Sequence, residues 1–177
     1  MADSVVKKTI LEGQRHVNTQ TFGSNSSTPI FETEDNPAFS TAGNTGMLIQ
    51  RVRMYPKNSD PIVFATGASY NWVSQLCGGT QDAILEIGTQ DLVAQANAQL
   101  TFLTGVGVQV TKMWPFEMLS VASIPAIVAP SFTVGHDCEV NHAAFQEKDI
   151  KTVIDYDVVE FSEQAFRTMY INQTNQS

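Results

Sequence analysis

Residues 114–134 read WPFEMLSVASIPAIVAPSFTV, and they are either a membrane span or a pair of core strands. Glu117 is the one charge, and from Met118 to Val134 seventeen residues run without another, close to the length that crosses a bilayer. The prolines exclude a spanning helix. Pro125 and Pro130 each lack an N–H and clash with the preceding turn, while Ser120, Ser123, Ser131 and Thr133 dilute the hydrophobicity. The stretch therefore reads as two short buried extended segments, 119–122 and 126–129, with the prolines at strand ends or a sheet edge, where a missing N–H costs nothing.

The composition around this stretch is that of one domain. A chain of 177 residues buries roughly 70% of its unfolded surface in a single core and needs no disulfide or metal. A net charge of −8 with only ten scattered Lys and Arg argues against direct nucleic-acid binding and against anionic membranes. Only 16% of residues are charged, against roughly 25% in ordinary soluble domains, so Thr, Ser, Asn and Gln supply the polar surface. Such a surface suits contact with copies of the same chain, because charges are depleted at interface cores. Cys77 and Cys138 sit in no ligand pattern and read as free buried thiols. The start, MADSVVKK, has no apolar segment of the signal-peptide kind, so the sequons at Asn25, Asn172 and Asn175 carry little weight.

Working outward in chain order, 4–22 reads as a hairpin turning at Glu12-Gly13. Residues 23–46 read as a long polar loop or arm. Met47–Tyr55 alternates as a strand with Arg51 and Arg53 on one face, Ile62–Ala65 and Tyr70–Cys77 are further strands, and 83–87 is a short apolar run. Segment 89–103 fits either period. Its alanines, glutamines and leucines favour a helix capped by Thr89. Val106–Trp114, 131–140 and Ile150–Phe161 alternate as strands, the last with Ile154, Tyr156 and Val158 on one face. Ser162 then caps a short helix, with Phe161 stapled onto Phe166 and a polar tail at 172–177. Eight or so strands with one or two short helices predict a mainly β, single-domain β-sandwich over 1–177, a jelly roll.

Candidate sites are few. His136, Cys138 and His142, with Asp137 and Glu139, could meet a zinc ion only if the strand turned, because straight-strand positions six apart are about 20 Å apart. Asp155, Asp157 and Glu160 could serve as an acid–base pair or hold calcium, but alternating acids on a solvated strand face also discourage edge pairing. Gly78-Gly79 and Gly105-x-Gly107 lack the context of a phosphate loop, and no Ser sits in a nucleophile elbow. Trp72, Trp114 and Tyr70 could form a sugar-stacking platform, although such aromatics more often fill cores. No catalytic, cofactor-binding or metal residue is assigned.

Three stretches, KKTILEGQRHVNTQTF, IPAIVAPSFTV and IDYDVVEFSEQAFRTMY, together with the low charge and the long polar loop, give the chain an organisation that resembles small β-sandwich capsid proteins of bacteriophages, in particular the single jelly-roll shell proteins of tailless phages. That resemblance implies a non-enzymatic virion protein without cofactors, made in the host cytoplasm. Its partners would be copies of itself and other virion proteins, met through loops and terminal arms. Two other readings fit a sandwich of this length: a carbohydrate- or receptor-binding module with exposed tryptophans, and a cupin-type metal enzyme, whose paired histidines two apart with a nearby glutamate are missing here.

Overall fold

The computed structural model describes residues 4–22, 28–56, 69–101, 116–140 and 148–174. They form β1 (Val6–Phe22), β2 (Ile30–Asp35), β3 (Thr45–Pro56), β4 (Ser69–Gly78), β5 (Leu92–Thr101), β6 (Phe116–Ser120), β7 (Ala126–Ile127), β8 (Ser131–Val140), β9 (Lys148–Phe161) and α1 (Glu163–Thr174). All the pairings are antiparallel, in the order β1-β9-β3-β6-β5-β4-β8-β2. The pairs are nested: β1 with β9, β2 with β8, β3 with β6 and β4 with β5. A long hairpin rolled up in this way has the jelly-roll connectivity, with sheets β1-β9-β3-β6 and β2-β8-β4-β5. β6 joins the sheets along one side, since it pairs with β3 at Val52–Met54 and with β5 at Ala94 and Gln95. No described helix is long and apolar enough to cross a membrane.

Residues alternate across the first sheet between two cores. Met47, Ile127, Ile154 and Tyr156 face the interior between the sheets, where they meet Trp72, Leu76, Phe132 and Val134 of the second sheet. Their neighbours Leu48, Ala126, Val128, Val159 and Phe161 face outward under α1, against Phe166, Met169 and Tyr170. Phe39, Phe166 and Tyr170 stack there with ring centroids about 6 Å apart. Phe161 and Phe166 share this cluster, as the expected staple requires.

The stretch at 114–134 divides in two. Residues 126–129 are fully buried, as expected, and β7 pairs with β3 at Met47 and Leu48. Residues 119–122 are not a core segment: β6 contributes Met118 to the core, whereas Leu119 is 72% exposed. Pro125 and Pro130 do lie outside the strands, and their carbonyls accept bonds from Ile49 N (2.7 Å) and Asn36 N (2.8 Å).

Two primary amides hold the 126–129 backbone from opposite directions. Asn36 Nδ2 donates to Ile127 O (3.1 Å) and Ala129 O (3.0 Å), while its Oδ1 accepts from Ala38 N. From α1, Gln173 Nε2 donates to Ala126 O (2.8 Å), and its Oε1 accepts from Val128 N (2.9 Å) and Ala129 N (3.1 Å). A third amide, Gln75, pairs both ways with the backbone of Leu85 and holds 79–91 over the second sheet. Five buried amides, Asn18, Gln20, Asn36, Gln75 and Gln173, are thus spent inside the fold.

Several expectations are corrected. The 4–22 segment is one continuous strand, not a hairpin. β9 is long enough to pair along it, and Gly13 (φ +63°) sits at a bulge with its N–H donating to Asp157 Oδ1 (2.8 Å). The supposed loop at 23–46 contains β2, and Asn36 and Ala38 are buried; residues 23–27 lie outside the described set. Segment 89–103 is strand, not helix, over Leu92–Thr101. Pairing on both sides overrides helix propensity, and small Ala94 and Ala96 lie opposite Leu76 and Ser74. Along β3 a bulge between Ile49 and Arg51 puts Met47, Ile49, Val52 and Met54 in the core, where simple alternation would separate Ile49 from Val52. The run at 83–87 forms no strand, and Ile87 is exposed. The polar tail does not begin at Asn172, because α1 continues to Thr174 and buries Gln173. The expected strands at 62–65 and 106–114 lie outside the described residues.

Candidate functional site

His136 is one of the three side chains, with Cys138 and His142, that the sequence offers for a zinc ion, and β8 carries it into the middle of the sandwich, where it is fully buried. Across the second sheet it is paired with Ser74 of β4. Facing that pair from the first sheet is another cross-strand pair, Met54 of β3 and Thr152 of β9. The four side chains meet. His136 Nδ1 lies 2.9 Å from Ser74 Oγ and its Nε2 lies 3.5 Å from Thr152 Oγ1. Ser74 Oγ also accepts from Trp72 Nε1 (2.8 Å) and donates to Met54 Sδ. One hydroxyl hydrogen cannot serve both Met54 and His136. With that hydrogen on Met54, His136 donates from Nδ1 and accepts at Nε2 from Thr152; with it on His136, Nε2 donates to Thr152 Oγ1 instead, and either tautomer uses both ring nitrogens. Burial alone pushes the imidazole pKa down to about 3, so it is neutral at ordinary pH.

This arrangement seals His136 away from solvent. Its side chain points between the sheets, and the outward parity of the neighbouring position separates it from Asp137. The side chains of Cys138 and His142 lie outside the described set. Among the described residues, no three His, Cys, Asp or Glu side chains are grouped to hold a metal ion. Trp72 is a core residue at 3% exposure rather than part of a sugar platform; Trp114 and the side chain of Tyr70 lie outside the described set. Cys77 is a buried free thiol whose pKa is raised to about 12, chiefly by burial.

The acids of β9 do not form one site. Asp155 takes Arg15 Nε (2.6 Å) and Arg53 Nη2 (2.7 Å), which hold its carboxyl below the usual range, the hydrogen bond from Arg15 contributing most. Asp157 accepts from Gly13 N and Gln50 Nε2 (2.8 Å each). Glu160 has the opposite parity along the strand and is paired in register with Lys8 and Thr45.

Two features were not visible in the sequence. The first is the seam between the edge strands β1 and β2, which side chains close without backbone pairing. Asn18 Nδ2 donates to Glu32 Oε2 (2.8 Å) and Glu34 Oε1 (2.6 Å), and Gln20 Nε2 reaches Val134 O (3.0 Å). His16 Nε2 lies 2.6 Å from Glu34 Oε2 without an aligned hydrogen bond. The second is a separation of charge. The second sheet and its β4–β5 connection carry eight carboxylates (Glu32, Glu34, Asp35, Asp82, Glu86, Asp91, Asp137, Glu139) and no Lys or Arg. Every Lys and Arg among the described residues lies on β1, β3, β9 or α1. Alternation within single strands could not reveal this, because it depends on which strands share a sheet.

Neither a protein-family model nor a curated protein matches this chain.

Proposed function

We propose that the chain is a non-enzymatic structural subunit of a virion, which assembles with copies of itself through sandwich surfaces and loops. The observation that carries this reading is the nested eight-strand connectivity, an architecture shared by viral shell proteins, lectin domains and cupins. Two findings weigh among those three. A sugar platform needs exposed tryptophans, and Trp72, the tryptophan among the described residues, is core. A cupin-type site needs histidines open to a substrate, and His136 is sealed between the sheets. Assembly is further supported by exposed apolar side chains around the β1 bulge (Ile10 46%, Leu11 53%) and at Leu119, on the sheet whose charges are balanced. The all-acidic sheet repels its own copies, so the near-neutral β1-β9-β3-β6 side and α1 are the faces fit for self-contact. Negative-stain electron microscopy of the purified chain tests the proposal: regular closed particles or rings are expected. Single sandwiches only, together with binding on a glycan array, would favour the lectin-like reading instead.

A further inference from the structure

Two cross-strand pairs, Ser74–His136 on one sheet and Met54–Thr152 on the other, face each other at the centre of the sandwich and are bonded to one another. We infer that this contact is an acid-sensitive latch: it ties the two sheets together while His136 is neutral and releases them when His136 takes up a proton. The inference stands apart from whether the chain builds a shell.

The geometry gives the reason. His136 uses both ring nitrogens, one toward its own sheet and one toward the other, and its bonding partners are two hydroxyls with the Trp72 ring alongside (centroids 6.3 Å apart). None of them carries charge. The inward neighbours on β9 and β3 are Ile150, Ile154, Val52 and Met54, all apolar. Among the described residues, the titratable groups that face inward from the surrounding strands are Tyr156 on β9 and His16 at the β1–β2 seam, where Glu34 lies 2.6 Å from it; the side chain of Cys138, of the same parity as His136, lies outside the described set. The charged neighbours Asp137, Arg53 and Asp155 belong to the outward faces. A second ring proton would turn the accepting nitrogen into a donor and leave a cation buried with no counter-ion among the described residues, which the fold relieves by opening the interior to water.

The direction in pH follows from linkage. The folded-state pKa lies below the unfolded one, so this contribution to stability is complete above the unfolded value of 6.5 and drains away as pH falls from there toward about 3. Between pH 7 and pH 5 the unfolding equilibrium constant should rise by roughly 25-fold from this one group, in addition to any change from carboxylates.

The test compares urea denaturation of the full chain and of His136→Gln at pH 7 and pH 5. Glutamine keeps a donor and an acceptor but cannot be charged. The wild-type chain should lose roughly 25-fold more in its equilibrium constant than the variant, and acrylamide should reach Trp72 at higher pH in the wild type than in the variant. Equal pH slopes overturn the inference. Should the variant fail to fold, nitrogen-detected NMR of the wild-type imidazole decides: a ring that stays neutral, in either tautomer, down to the onset of unfolding supports the latch, and one that titrates near pH 6.5 in the folded chain refutes it.

Discussion

Replacing Gln173 with alanine removes one donor and one acceptor and leaves three buried backbone groups, Ala126 O, Val128 N and Ala129 N, without those bonds. Residues 126–129 are at most 1% exposed, so water cannot replace the lost bonds unless α1 lifts away. An unpaired buried polar group costs about 1–3 kcal/mol, and partial relaxation of the helix offsets some of the total, which puts the expected loss at about 3 kcal/mol. Gly78 provides an independent check. A Cβ built on it would lie 2.5 Å from Gln173 Cδ, so Gly78→Ala should displace the same amide. Two substitutions that break one clamp must be non-additive, and the double variant should be little worse than either single. Urea denaturation at neutral pH supplies the energies, and hydrogen exchange across 163–174 shows whether α1 has undocked. A Gln173→Ala loss under about 0.5 kcal/mol, or strict additivity with Gly78→Ala, would refute the clamp.

Other expectations probe separate parts of the fold. Gly46→Ala would place a Cβ 2.5 Å from the Ile127 carbonyl, so it should force β7 off β3 and cost about 1–3 kcal/mol by thermal melting. Asp155→Asn should cost about 1 kcal/mol, because Arg15 is largely exposed and its pairing is screened by solvent, while the half-buried Arg53 retains an acceptor in the asparagine oxygen. The folded pKa of Asp155 is depressed, so its contribution is present above the ordinary carboxylate value and is lost as pH falls through the folded one; the variant should show a shallower acid slope. Cys77 should resist alkylation until the chain unfolds, and rapid labelling in the native state would contradict its placement beneath the 79–91 segment.

Strands were legible where apolar alternation was strong and turn residues bounded it, as in β3, β8 and β9. β5 was not, because alanine and glutamine are helix formers in isolation and only pairing with a neighbouring strand on either side makes them suit a sheet. β2 escaped notice since its six residues are mostly polar and never fully buried. Gly13 signalled a turn, and whether such a glycine turns or bulges depends on the partner strand, 144 residues away at Asp157. Separation in sequence also hid the amide hooks: Gln173 reads as tail polarity until Ala126, 47 residues earlier, is placed beside it. His136 stood out as chemically interesting, yet its role depends on Ser74 and Thr152, which no local pattern connects to it. The low charge content was read as a surface property. Ten polar residues are instead buried, among them Asn18, Gln20, Asn36, Gln75 and Gln173.

The claim that this sandwich is a building block rather than a solitary domain is tested most directly by the mass of the purified chain in solution. Light scattering coupled to size exclusion across a wide concentration range should give trimers, higher multimers or shells, with masses that are whole multiples of 19.4 kDa. A mass of 19.4 kDa at every concentration would contradict it.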